Sequence, residues 1–194
     1  MPPDLRPGPD SRPTDELASA EDTLGVLRQV LHTVASDDMS RQTPCTQFNV
    51  AQLTEHLLNS ITAIGGMVGA EIPETDESEP AERRVVTAAR PALDAWQRHG
   101  LDGSVPFGQG EMPAKGACGI LSVEFLVHAW DFATAVGHEV EAPQPLAEYV
   151  LGLAHGIIKP ELRGSAGSDD PVEMPANAGA LDQLLAFTGR NPAR

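Results

Sequence analysis

Residues 116–136 read GACGILSVEFLVHAWDFATAV, an apolar stretch of helix length whose ionisable side chains, apart from the Cys118 thiol, are Glu124, His128 and Asp131. At about 100° per residue, these three fall within a sector of roughly 60° on the helical wheel. The rest of the circumference carries Phe125, Leu126, Val127, Trp130, Phe132 and Val136. A helix that is apolar nearly all round is a buried helix, so the remainder of the chain must fold around it. A carboxylate and an imidazole buried one turn apart cost free energy unless they are paired or bound to a metal. The polar stripe is therefore the leading functional candidate in the chain.

The 194 residues suit one domain with a substantial core and are too few for two of ordinary size. Apolar residues make up 41% and aromatics only 4%, which favours helices packed through small and aliphatic side chains. The net charge of −15 repels phosphate backbones and anionic lipid, so neither a nucleic-acid partner nor a membrane partner is expected. No run of 18 apolar residues free of charge occurs, and no membrane span is predicted. Residues 1–14, from Met1-Pro-Pro through Pro13, contain no apolar signal region and read as a disordered leader ahead of a single domain over 15–194. Cys45 and Cys118 do not form a disulfide framework, which predicts a cytoplasmic protein with reduced thiols. The partners expected are a small-molecule substrate and at most a second copy of the chain, as a monomer or homodimer.

Helical periodicity recurs along the chain. Leu17, Leu24, Leu27, Val30, Leu31 and Val34 mark a first amphipathic helix within 15–36, broken by Asp37-Asp38 and by Thr43-Pro-Cys-Thr46. A second starts at Asn49, an N-cap with Gln52 three residues on, and Phe48 is placed to staple against Leu53. It runs through Leu57, Ile61, Ile64 and Val68 to Gly69. A third spans about Ala81 to His99, with Pro91 inside it predicting a kink or a split. Residues 100–115 read as an irregular crossing with a small strand at Val105-Pro-Phe107. The 116–136 helix ends at Gly137, a fifth covers about Leu146 to Ile158 before Pro160, and a short last one covers Ala180 to Thr188. The pattern predicts an all-α bundle of four long helices with short extra helices.

His56 lies on the second helix at the edge of its apolar band. Glu124 and His128 form an i, i+4 pair whose Cβ atoms lie about 6 Å apart, close enough for both side chains to reach one ion. Adding His56 from a facing helix makes a His, Glu, His set. That set suits a three-ligand zinc site with an open position, or a facial triad for Fe(II) or a related divalent ion. The competing reading is an intrahelical Glu124–His128 hydrogen bond with no metal. Asp131 is placed either as a supporting group that accepts the other ring N–H of a liganding histidine or as a cap for another polar group. Cys45 and Cys118 read as packed thiols. His32, His99, His138 and His155 have no partner at ligand spacing, although His155 lies on an apolar helix that can pack beside the site.

The segment Thr43-Pro-Cys-Thr-Gln-Phe-Asn-Val-Ala-Gln-Leu-Thr-Glu-His56 resembles a signature of the mycothiol-dependent maleylpyruvate isomerase family, Thr-Pro-Cys-x-x-aromatic-x-Val-x-x-Leu-x-x-His. Glu124-Phe-Leu-Val-His128-Ala-Trp-Asp131-Phe-Ala is similar to its second signature, and Leu181 through Pro192 resembles the ending of a single-domain, metal-binding branch. The resemblance covers the chain from about residue 16. It implies a DinB-like four-helix bundle in which His56, Glu124 and His128 are the metal ligands, zinc is the usual ion, and water or the thiolate of mycothiol takes the fourth position. Nickel and iron are further candidates for the ion. Phe48 stands where the family more often has Trp. The isomerases also carry a C-terminal domain for which these 194 residues leave no room, so fold, metal and thiol-linked chemistry are what the resemblance transfers. The functional expectation is a metal-dependent transferase or isomerase of small-molecule metabolism, with a non-catalytic metal-binding or regulatory module as the alternative.

Overall fold

The computed structural model describes residues 10–163 and 168–192, and the first nine residues of the predicted leader lie outside the described residues. The fold is mainly helical: α1 (Glu16–Leu31), α2 (Val50–Gly66), α3 (Ala81–His99), α4 (Ala114–Val136), α5 (Gln144–Ile157) and α6 (Ala180–Phe187). A hairpin of β1 (Ser104–Phe107) and β2 (Gly110–Pro113) pairs antiparallel and leads directly into α4. Single 3-10 turns occur at Ser36–Asp38 and Pro160–Leu162.

α4 is the central element. It packs against α1, α2 and α5, while α3 leans on α1 and α2, and α6 on α5. Phe125, Phe132, Leu121 and Leu126 of α4 are fully buried, as are Leu27 of α1, Leu53, Leu57 and Ile61 of α2, and Trp96 of α3. By length and composition α4 could cross a membrane, yet here most of it is buried inside the protein.

The helix ends follow from local chemistry. Asp15 caps α1 by accepting from the Ala18 N–H at 2.8 Å. At α2 the predicted capping box forms: Asn49 Oδ1 accepts from the Gln52 N–H at 2.9 Å, and Gln52 Oε1 accepts from the Asn49 N–H at 3.0 Å. α4 ends at Gly137, whose φ of 78° terminates the helix in the left-handed region.

Three local expectations change. α1 ends at Leu31, and Val34 reaches the core from beyond the helix. Pro91 does not split α3, which is continuous from Ala81 to His99. Ala88 and Ala89 before the proline, and Ala92 and Leu93 after it, are all buried, so packing along one continuous face holds the helix through the missing N–H donor. The segment read as irregular with one strand is a two-stranded hairpin, anchored by the buried Val105. At the edge of the predicted leader, Pro13 is buried and the Arg12 guanidinium lies 5.3 Å from the Tyr149 ring centroid.

Candidate metal centre

The loop before α2 folds tightly on its own polar groups. Thr43 Oγ1 donates to the carbonyls of Cys45 (3.0 Å) and Phe48 (2.7 Å), and the Gln42 side-chain amide donates to the Phe48 carbonyl at 2.9 Å. This sets Phe48 just before the Asn49 cap. Two turns into α2, His56 then faces α4.

His56, Glu124 and His128 come together there, each offering a ligand atom, and these atoms all lie within 4.8 Å of one another. Glu124 Oε2 is 3.3 Å from His56 Nε2 and 3.6 Å from His128 Nε2. Donors about 2.1 Å from a tetrahedral ion are separated by about 3.4 Å, so these two edges have the separation of ligands that share one ion. They are too long or misaligned for hydrogen bonds: His56 Nε2 and Glu124 Oε2 are buried and lack hydrogen-bond partners. Such groups are costly to leave unsatisfied, and an ion at their common focus would satisfy both. Glu124 and His128, the i, i+4 pair of the competing metal-free reading, meet as an ion pair at 3.6 Å, longer than a hydrogen bond.

Burial grades across the group. The His56 side chain is 24% exposed, Glu124 14% and His128 3%, so His56 on α2 lies nearest the surface. The His56 and His128 rings meet edge to face with centroids 5.2 Å apart, and Phe48 stacks on His56.

Asp131 contacts His128 directly. Its Oδ2 accepts from His128 Nδ1 at 2.9 Å; a carboxylate only accepts, so Nδ1 holds a proton, and Nε2 is the nitrogen that would offer a lone pair to an ion after losing its own proton. Asp131 is fully buried and is also paired with Arg190, whose Nη2 donates to Oδ2 at 2.8 Å and Nε to Oδ1 at 3.3 Å. Burial opposes its charge, but His128 and Arg190 hold the Asp131 carboxyl below its usual range. Burial likewise opposes ionisation of Glu124, and the two imidazoles beside it override that and hold it far below the usual range. For His128, burial disfavours the cation, yet the hydrogen bond to Asp131 and the Glu124 carboxylate raise it to about 9.

The remaining candidates stay apart. Cys118 is fully buried in α4, and burial pushes its thiol up to about 12. Cys45 is buried in the field of Arg190 and Asp131 but is not in the ligand group; burial raises its thiol, with Arg190 opposing. His155 is exposed and sits edge to face with Phe187, while His32 pairs with Glu82 on the surface. Sequence reasoning missed Arg190. Its signal was its place within the 181–192 tail that carries the resemblance, directly after Thr188-Gly189, with no role assigned to it.

No family model matches this chain, and no solved structure matches it. Two Mycobacterium tuberculosis proteins are similar to it: uncharacterized protein MT0763 of strain CDC 1551 / Oshkosh and uncharacterized protein Rv0738 of strain ATCC 25618 / H37Rv. Each is 26% identical over 183 residues, covering 91% of this chain and 98% of the relative.

Proposed function

We propose that this protein binds a divalent metal ion through His56, Glu124 and His128 in a DinB-like four-helix bundle formed by α1 to α4. Zinc is the first candidate, with nickel and iron next. We further propose that the site serves a thiol-linked transferase or isomerase reaction on a small molecule, with mycothiol as the candidate cosubstrate. The observation that carries the metal reading is the pair of buried, unpartnered donor atoms, His56 Nε2 and Glu124 Oε2, spaced for one ion. The thiol link is supported by the sequence resemblance and by charge.

A bound ion would lower the pKa of a thiol or water at the position left open and so supply a nucleophile at neutral pH. Among the described residues only three protein donors gather, whereas a purely structural zinc site closes all four positions with protein ligands. Glu124 and Asp131 each bring one negative charge and Arg190 one positive. A divalent ion would thus leave a single net positive charge, which favours an anionic fourth ligand such as a thiolate. Asp131 keeps the Nδ1 proton of His128 in place, and the partly exposed His56 side defines the approach.

Elemental analysis of freshly purified protein, followed by thermal-shift titration with zinc, nickel and iron(II) with and without mycothiol, tests this. About one equivalent of metal, lost in His56→Ala, is expected. Protein that holds no metal and is indifferent to His56→Ala would remove the reading. Stabilisation by metal without any response to thiols would assign the site a structural role instead.

A further inference from the structure

We infer that Arg190 is a positioning residue of the metal site: its fork on Asp131 fixes the ring of His128, so the turn after α6 is a working part of the centre. This rests on the metal-binding reading above. Arg190 is 59 residues from Asp131 in sequence, and the fold brings it there by a specific device. α6 closes with a Schellman motif, in which the Arg190 N–H bonds the Leu185 carbonyl at 2.8 Å and the Gly189 N–H bonds the Ala186 carbonyl at 3.1 Å. Gly189 takes the left-handed conformation (φ 87°), and a Cβ built there would lie 2.6 Å from Asp169 Cβ. The turn directs Arg190 inward, where Nη1 also donates to the Thr188 carbonyl at 2.9 Å and the side chain is 4% exposed.

A buried guanidinium and a fully buried carboxylate each need the other. If the pair only seated the tail, it would have no reason to share an atom with the cradle. Asp131 Oδ2 nevertheless accepts from Arg190 Nη2 (2.8 Å) and from His128 Nδ1 (2.9 Å) together. The planar fork holds both carboxylate oxygens, so the carboxylate cannot turn away from His128, and Nε2 of that ring stays aimed at Glu124. A lysine would keep the charge but lose the fork.

The test uses the full chain with Arg190→Ala, Arg190→Lys and cobalt(II) as the probe. Visible absorption reports cobalt binding, nitrogen-15 NMR of the histidine side chains reports the His128 Nδ1–H, and circular dichroism reports the fold. Loss of an orienting partner of this kind weakens metal binding by roughly 10–100-fold. That loss, an altered cobalt spectrum and an exchange-broadened Nδ1–H signal are expected in Arg190→Ala with helical content kept. Arg190→Lys should recover only part. If Arg190→Ala fails to fold, Arg190→Lys alone decides: full cobalt affinity with a sharp Nδ1–H would overturn the inference. Should the wild-type protein bind no cobalt, the metal reading falls by itself. The ring signal then judges Arg190, its loss in the variants supporting the positioning role and its persistence overturning it.

Discussion

Phe48 lies nearly parallel to the imidazole of His56, with ring centroids 5.0 Å apart and planes inclined by 23°. The loop closed by Thr43 and Gln42 sets the phenyl ring there, and it covers one face of a side chain whose Nε2 has no hydrogen bond to hold it. Stacked aromatic pairs contribute about 0.5–1.5 kcal/mol beyond burial. Phe48→Ala should therefore weaken zinc binding by roughly 2–10-fold in calorimetric titration, while Phe48→Trp keeps it. An unchanged affinity in the alanine variant would reduce the stack to packing.

Metal should stabilise the fold in proportion to its affinity. At a free concentration 100 times Kd, the gain is about 2.7 kcal/mol. For a domain of this size that corresponds to a rise in Tm of roughly 5–10 °C. Glu124→Gln, His56→Ala and His128→Ala should each abolish the rise, read by differential scanning calorimetry with and without a chelator. A full metal-dependent shift in Glu124→Gln would remove that carboxylate from the ligand set.

The pH response follows from His128, raised to about 9 from the ordinary 6.5. Without metal, the folded protein keeps this proton at neutral pH while the unfolded chain releases it. The stabilisation it brings is thus complete below about 6.5 and is lost as pH rises through about 9. A metal ion must displace the same proton, so affinity should climb between these limits by up to about tenfold per pH unit. Glu124, held far below its usual range, is ionised throughout and adds no slope there. Stability of the metal-free protein should fall toward pH 9 while zinc affinity rises, and a flat affinity profile over pH 6.5–9 would contradict a liganding His128.

Gly189→Ala joins two faults, a left-handed backbone and a Cβ pressed against Asp169. The backbone alone costs about 1–2 kcal/mol, and the clash adds to it. Urea unfolding should show at least that loss. Since the turn carries Arg190, the variant should also lose metal affinity; intact affinity would mean that the turn can shift without moving the fork.

The helical elements were legible because each carries a local signal: apolar residues at helical spacing, the Asn49–Gln52 box, the left-handed Gly137. The Glu124–His128–Asp131 stripe was legible for the same reason, since i, i+3 and i, i+4 neighbours share a face whatever the fold around them. Pro91 shows where local rules stop. Its missing donor argues for a break, and the buried faces on both sides of it outweigh that argument. The second strand and the turn at Ser36–Asp38 are too short to have a period of their own.

By itself, the amino-acid sequence determined the helices, the buried character of α4 and the presence of an ionisable stripe on it, all consequences of interactions spanning a few residues. Only the tertiary structure decided that His56 meets that stripe with unpartnered donor atoms, that Phe48 stacks on His56, and that Arg190 clamps Asp131 from the turn after α6. These depend on helix packing and on one left-handed turn. Arg190 and Asp131 stand 59 residues apart, a separation over which no local pattern carries information.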